Sequence, residues 1–198
     1  PFKGNMDLNK LEKIINEVGV EHIPFVRIEL GTNLIGGQPV SLGNIEAVSN
    51  ICKKHNIKLM LDASLMTDNL YFNKVREERC KDMSVAEIAR AISDLADIIY
   101  FSARKLGSAK GGGIVLDDKG LYDQMKVLIP IYEGFLTYGG MSTREMEAAA
   151  IGLEEATDID MISHGPEFIA EFARILKSYG VPIVTPPGGL GLHLNARE

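Results

Sequence analysis

The stretch Ser102-Ala103-Arg104-Lys105 lies between the apolar run Asp97-Ile98-Ile99-Tyr100-Phe101 and the glycine cluster Gly111-Gly112-Gly113. The apolar run is typical of a buried strand, so Lys105 is expected just beyond the carboxyl end of that strand. In an open α/β sheet, the carboxyl ends of the strands border the crevice in which ligands bind. The stretch therefore predicts an α/β fold with a lysine in a ligand-binding position.

Two other polar residues follow predicted strands in the same way. Asn33 comes after the strand-like run 24–30, and Asp62 ends the run 57–61. Taken singly, a loop lysine such as Lys105 is a solvated surface charge in most proteins. An aspartate at the position of Asp62 is more often a helix cap or a turn residue than a cofactor partner. Their common position is what favours a site, because an amide, a carboxylate and a lysine at neighbouring strand ends match the needs of pyridoxal phosphate.

Helical patterns separate these strands. The predicted helices begin at Asp7, at Ser41 or Asn44, at Ser84, at Leu121, at Ser142 and at Pro166, and the last one ends at Gly180. The alternation predicts a mostly parallel sheet flanked by helices, and the run 112–116 with a turn at 117–120 adds one antiparallel strand. A break is expected near Pro130, and a further strand at 181–184. The small-residue face of the Ser142 helix suits either a core or an interface.

The composition is that of an acidic globular chain. It has 198 residues, of which 45% are hydrophobic and 24% charged, and a formal net charge of −6. An acidic chain without a basic cluster argues against nucleic acid as a partner, because phosphate binding needs Lys and Arg. No apolar run approaches the roughly 20 residues that span a bilayer. We therefore expect a soluble cytoplasmic protein without a membrane partner.

The two cysteines and the glycine clusters are expected to have structural roles. Cys52 and Cys80 have no CxxC or Cys/His spacing, so neither a disulfide nor a metal site is predicted. Gly36-Gly37 and the cluster 111–113 fit neither the P-loop spacing nor a GxGxxG that opens a helix. We expect buried thiols, tight turns and a close approach of the backbone to the lysine.

Three stretches carry a resemblance to a known family. They are Pro1-Phe2-Lys3-Gly4-Asn5-Met6-Asp7-Leu8, Asn33-Leu34-Ile35-Gly36-Gly37-Gln38-Pro39-Val40-Ser41 and Tyr132-Glu133-Gly134-Phe135-Leu136-Thr137-Tyr138-Gly139-Gly140. The chain resembles the β-eliminating lyases, tryptophanase and tyrosine phenol-lyase, which use pyridoxal phosphate. The resemblance runs from Pro1 to about Arg197. It implies an aspartate-aminotransferase-like (fold type I) large domain, incomplete in this chain.

The resemblance also implies a role for each candidate residue. Lys105 matches the lysine that bonds to the cofactor aldehyde and then moves protons at the substrate Cα, which makes it the catalytic residue. Asp62 matches the carboxylate paired with the ring nitrogen, and Asn33 the amide near the phenolic oxygen. The cofactor-binding residues implied are Asn33, Asp62, Ser64, Ser102, Arg104 and Lys105, with Ser102 on the phosphate and Arg104 as a second cation.

Two positions depart from the family pattern. Leu65 occupies the place of an arginine after the Asp62 segment, and Leu190 occupies the place of a histidine after Gly188-Gly189. Both changes fall in the active-site region, so elimination of tryptophan or tyrosine is less secure than cofactor binding. We expect His193 to be a buried or edge histidine with no catalytic part, because its side-chain direction depends on the register of the strand.

The resemblance extends to assembly and organisation. It implies a homo-oligomer, a dimer or tetramer with a shared active site, so residues 1–198 alone should be inactive. It also implies a monovalent cation, such as potassium, on the backbone carbonyl of Lys110. Residues 1–160 are expected to belong to the cofactor-binding large domain, and residues 161–198 to a linking helix and the start of a small C-terminal domain. The opening at Pro1 and the stop at Glu198 predict a fragment or half of a split enzyme.

The favoured activity is a pyridoxal-phosphate-dependent carbon–carbon lyase that acts on an aromatic amino acid by β-elimination. The products would be pyruvate, ammonia and a leaving group, and the stretch 134–140 favours tryptophanase slightly. Because Leu65 and Leu190 remove polar groups, a cysteine desulfhydrase, an aldolase-like enzyme or an aminotransferase stays open. A non-catalytic relative is the remaining alternative.

Overall fold

The computed structural model describes residues 1–107, 109–132 and 141–195. Its strands are β1 (Phe25–Glu29), β2 (Lys58–Asp62), β3 (Ile98–Ser102) and β4 (Gly112–Leu116). Its α-helices are α1 (Leu8–Val18), α2 (Leu42–Lys54), α3 (Met66–Arg76), α4 (Val85–Ser93), α5 (Lys119–Lys126), α6 (Ile129–Tyr132), α7 (Thr143–Glu155) and α8 (Ile159–Ser178). The stretch 134–140, which favoured tryptophanase, lies outside the described residues.

The four strands form one sheet in the order β1-β2-β3-β4. The first three strands are parallel, and β4 runs antiparallel to β3. This confirms the predicted mixed, mostly parallel sheet. The register pairs Glu29 with Asp62 and Asp62 with Tyr100, so these three side chains lie on the same face near the carboxyl ends of the strands.

Polar side chains cap the start of several helices. Asp7 caps α1 by accepting a hydrogen bond from the Lys10 amide, and Ser41, rather than Asn44, caps α2. Ser84 and Ser142 form capping boxes at α4 and α7. Each cap satisfies amides that the first helical turn leaves unpaired, so the predicted starts at Asp7, Ser84 and Ser142 are confirmed.

The hydrophobic core lies between one face of the sheet and helices α2, α3 and α4. Ile28 and Leu61 on the sheet pack in one cluster with Ile45, Leu70 and Ile88 from the three helices. All five side chains are almost fully buried. The opposite face carries the half-buried side chains of Asp62 and Tyr100, so only this face leaves polar groups accessible.

Helix α3 has no counterpart among the predicted helices, because its buried face mixes apolar residues such as Leu70 with two asparagines. Asn69 and Asn73 are fully buried and bond to the backbone before α2. The Asn69 Oδ1 accepts from the Val40 amide at 2.7 Å, and the Asn73 Oδ1 accepts from the Leu42 amide at 2.8 Å. A helix whose inner face contains asparagines shows a weak hydrophobic period, so pattern reading misses it.

Some predicted boundaries differ from the structure. Helix α8 begins at Ile159 with Asp158 as its cap, so Pro166 lies inside the helix rather than at its start. The predicted turn at 117–120 is the start of α5, where Asp118 accepts from the Leu121 amide. The predicted strand at 181–184 contributes only an isolated bridge, between Ile183 and Leu194. Among the described helices, none is long and apolar enough to cross a membrane.

Candidate functional site

Asp62 has the most defined surroundings of the candidate residues. Its Oδ1 accepts a hydrogen bond from the Ser64 amide at 3.1 Å, and its Oδ2 accepts one from the Tyr100 hydroxyl at 2.9 Å. Within the described residues it has no ion pair. A carboxylate has about four acceptor positions, so Asp62 retains capacity for a further donor.

Ser64 and Ser102 connect the loops that follow β2 and β3. The Ser64 hydroxyl accepts a hydrogen bond from the Ser102 amide at 3.1 Å. The Ala63 amide donates to the Tyr100 carbonyl at 2.8 Å, which extends the pairing of the two strands. The two serines therefore lie side by side, immediately beyond Asp62.

Asn33 lies beyond the end of β1, in a short 3₁₀ turn (Asn33–Ile35). Its amide donates to the Glu29 Oε1 at 2.9 Å, and its side chain is exposed. Gly36 and Gly37 follow with φ of +84° and +74°, a conformation that glycine adopts without strain. The resulting tight turn returns the chain to Gln38 and confirms the structural role expected for these glycines.

Lys105 lies in a tight turn directly after β3. The amides of Lys105 and Leu106 both donate to the Ser102 carbonyl, each at 3.1 Å. The side chains of Lys105 and Arg104 are exposed and have no hydrogen bond or ion pair with described residues. Lys105 lines a pocket of about 200 Å³ together with Asp68 and Glu155. Lys105 is therefore accessible from this pocket.

Helix α7 supports the Lys105 turn through its small residues. A Cβ at Gly152 would collide with the Gly107 carbonyl, and Ala149 packs in one small cluster with Ala103. Of the face that the sequence left open between a core and an interface, Ala149 is buried within the chain, whereas Met146, Ala150 and Leu153 are exposed. The sequence did not single out Gly152, because the residue pattern of α7 does not indicate which loop the helix contacts.

Asp68 is a second carboxyl group near the lysine, and sequence reasoning did not select it. Burial raises the pKa of Asp68 to about 6. A Cβ on Gly189 would lie 2.5 Å from the Asp68 Oδ2, so the loop at 188–191 lies directly over this carboxyl group. Asp68 can therefore exchange a proton near neutral pH beside the Lys105 pocket.

The two residues that depart from the family pattern lie against the glycines of the Asn33 turn. Leu65 is buried, and a Cβ at Gly31 would lie 2.9 Å from the Leu65 Cβ. Leu190 packs against Gly37 in the same manner. His193 approaches Gly36, with its Nδ1 2.7 Å from the place of an added Cβ. The wall of the site near Asn33 is therefore partly apolar.

The family resemblance implies a cation at the backbone carbonyl of Lys110. The Lys110 side chain is exposed, and Gly111 follows it with φ of +85°. In residues 1–107, 109–132 and 141–195, no group of three His, Cys, Asp or Glu side chains could hold a metal ion. Cys52 and Cys80 are buried free thiols, as expected.

The fold is shared with solved enzymes. The structure of Leishmania major threonine aldolase superposes with a TM-score of 0.65 at 21% identity, covering 94% of this chain and 51% of that one. At this identity the likeness concerns the fold. It matches the expected large domain, which this chain represents in part.

Curated relatives match along the whole chain. The tyrosine phenol-lyase of Lacrimispora saccharolytica is 43% identical over 197 residues, which cover 99% of this chain and 42% of the relative. The tyrosine phenol-lyase of Pasteurella multocida is 41% identical, with 100% and 43% covered. The chain thus spans less than half the length of these relatives. A family model described as beta-eliminating lyase matches residues 1–196. The chain therefore belongs to the beta-eliminating lyase family.

Proposed function

We propose that this chain is the cofactor-binding part of a pyridoxal-phosphate-dependent lyase that acts on an aromatic amino acid. The reaction adds water overall and releases pyruvate, ammonia and the protonated leaving group. Family membership and relatives named tyrosine phenol-lyase support this class of reaction. The observation that carries the proposal is the position of Asp62, Ser102 and Lys105 together at one edge of the sheet.

The donor and acceptor groups at this edge fit the cofactor. Asp62 is ready to accept a hydrogen bond from a ring nitrogen, and the exposed Lys105 amine is ready to bond to an aldehyde. Bound pyridoxal phosphate supplies an electron sink that stabilises negative charge at the substrate Cα. Asn33 is assigned to the phenolic oxygen, and Ser102, Ser64 and Arg104 to the phosphate side.

Each of these site residues has a defined task in this scheme. Asp62 favours the protonated ring nitrogen, because a carboxylate stabilises the positive charge beside it. Lys105 binds the cofactor first and then, once released by the substrate amine, moves a proton at Cα. The turn after β3 fixes the backbone of Lys105 through the paired bonds to the Ser102 carbonyl.

The first test is borohydride reduction of the intact protein after incubation with pyridoxal phosphate, followed by peptide mass mapping. We expect a pyridoxyl label on Lys105, lost in Lys105→Ala and retained in the control Lys119→Ala, which changes an exposed lysine of α5. An unlabelled Lys105 in the folded protein would refute the proposed role.

The identity of the substrate needs a separate test. Names of the curated relatives support tyrosine with a phenol leaving group, whereas the stretch 134–140 favours tryptophan. The apolar contacts of Leu65 and Leu190 favour a second candidate, a pyridoxal phosphate enzyme that acts on another amino acid such as cysteine. Pyruvate release from tyrosine, tryptophan and cysteine, measured in parallel, distinguishes the candidates.

We also propose that the complete protein is a cytoplasmic homo-oligomer, a dimer or tetramer whose neighbouring subunits complete the site, with potassium as a further ligand. The support is the family assignment. Sedimentation of the intact protein with and without potassium tests both parts. A monomer with full activity would contradict the shared site.

A further inference from the structure

Hydrogen bonds across three strands lead to Asp62. The Arg27 Nη1 donates to the Tyr100 hydroxyl oxygen at 3.1 Å, and the Tyr100 hydroxyl donates to the Asp62 Oδ2 at 2.9 Å. These side chains lie on the open face of the sheet, because the register pairs Asp62 with Tyr100 and places Arg27 two residues before Glu29. Asp62 is thus held by its neighbouring strand as well as by its own loop.

The direction of these bonds is fixed by chemistry. A guanidinium has only donors, and a phenol has a single proton. Since Arg27 donates to the phenol oxygen, the Tyr100 proton is directed at Asp62. Burial and the bond to Asp62 raise the pKa of Tyr100, and the bond to Tyr100 raises the pKa of Arg27. The phenol therefore keeps its proton, and the carboxylate accepts it as a hydrogen bond.

Arg27 also faces the Asn33 turn. Its Nη2 lies 3.7 Å from the Glu29 Oε2, and the other oxygen of Glu29 accepts the Asn33 amide at 2.9 Å. Arg27 therefore lies between the two strand ends that carry the candidate groups for the ring nitrogen and the phenolic oxygen. Hydrogen bonds to charged groups exceed neutral ones in strength, so this arrangement restrains both ends.

We propose that Tyr100, oriented by Arg27, is a positioning residue that fixes the Asp62 carboxylate for a protonated ring nitrogen. The inference rests on the proposed function and adds to it two residues that the sequence analysis did not select. With one oxygen held by Ser64 and the other by Tyr100, the carboxylate plane cannot rotate freely. The remaining acceptor positions then point in a constant direction.

The test is Tyr100→Phe in the intact protein, with titration of pyridoxal phosphate and the absorption spectrum of the bound cofactor as readouts. We expect affinity to fall about fivefold to tenfold. We also expect the absorption band to shift, because the partner of the ring nitrogen is displaced. The control is Tyr71→Phe, which removes a bond from a half-buried tyrosine of α3 to Glu167 and should change neither readout.

A double-mutant cycle tests whether Arg27 acts through Tyr100. Arg27→Gln alone should weaken cofactor binding in the same direction, and its effect should shrink in the Tyr100→Phe background. Fully additive effects would overturn the coupling. Wild-type affinity in Tyr100→Phe, or reduced affinity with an unshifted spectrum, would overturn the positioning role.

The two levels of the hypothesis fail in different ways. If wild-type Lys105 takes no pyridoxyl label, the proposed function fails. If wild-type Lys105 is labelled and Tyr100→Phe binds and absorbs as the wild type does, only the positioning role fails.

Discussion

Asp62 is the residue whose hydrogen bonding bears most directly on the proposed cofactor. Both of its oxygens already accept hydrogen bonds from the chain, yet it has no ion pair among the described residues. A half-buried carboxylate in this state gains stability when a cation binds beside it. The cofactor ring nitrogen is such a cation in the proposed function.

Asp62→Asn tests this at the residue scale. An amide cannot balance the positive ring nitrogen, so cofactor affinity and pyruvate release should each fall roughly 10- to 100-fold. Asp117→Asn, which changes an exposed carboxylate after β4, is the control. Equal activity of the two variants would show that Asp62 does not hold the cofactor.

Asp68 predicts a pH dependence of folding stability. Its pKa is raised from 3.8 to about 6 by burial, so the protonated form is favoured in the folded protein. The stability this contributes is complete below about pH 4 and is lost as pH rises through about 6. With a discount for partial exposure, Asp68→Asn should be about 2 kcal/mol more stable than wild type at pH 7 and equal to it at pH 4.

Urea unfolding of the intact protein at the two pH values measures the Asp68 effect. Asp82→Asn serves as the control, because that carboxylate is exposed. A constant difference between Asp68→Asn and wild type at both pH values would contradict the raised pKa.

At the scale of elements, the contact between α7 and the Lys105 turn depends on one glycine. Gly152→Ala should destabilise the protein by about 2 kcal/mol and reduce the Lys105 label, because the added methyl group meets the Gly107 carbonyl. Gly120→Ala, in α5, would place the new Cβ 3.4 Å from the Asp118 Oδ1, which is an ordinary contact, and should gain up to about 1 kcal/mol. Thermal melting and the label measure both effects. Similar melting of the two variants would contradict the close contact.

Helix α3 is held to the start of α2 by amide side chains. Asn73→Ala would leave the buried amide of Leu42 with the single remaining partner Glu77, and would take one donor from the Val40 carbonyl. We expect a loss of roughly 1–3 kcal/mol. Asn50→Ala, at an exposed position of α2, should stay near zero. Denaturant titration compares the two, and equal losses would contradict the role of Asn73.

At the scale of the whole molecule, the sequence predicts the strands of the sheet better than the contacts that hold the site residues in place. The strands and their order along the chain follow from apolar runs, and family motifs point to Asp62 and Lys105. Tyr100 and Arg27 could not be selected, because their contact depends on the register of three strands. Helix α3 was missed because asparagines interrupt the apolar residues of its inner face, and Gly152 because its partner is distant in sequence.

Incomplete coverage of the relatives gives a further prediction. The chain spans 42–43% of the length of the tyrosine phenol-lyases it matches. Residues 1–198 expressed alone are therefore expected to release no pyruvate from tyrosine, tryptophan or cysteine, whereas under the proposed function the intact protein releases it from one of them. A colorimetric pyruvate assay compares the two. Appreciable turnover by residues 1–198 would show that the site is complete within them.

The strand order gives the two sides of the site different mechanical properties. Asp62 and Lys105 follow β2 and β3, which have neighbours on both sides, while Asn33 follows β1, an edge strand within the described sheet. Amide hydrogens in central strands exchange with solvent more slowly than those at an edge. In a hydrogen-exchange experiment, the backbone amides of β1 and the Asn33 turn should therefore exchange faster than those of β2 and β3. The Asn33 side of the site can then adjust its position, while the side that carries Asp62 and Lys105 stays fixed.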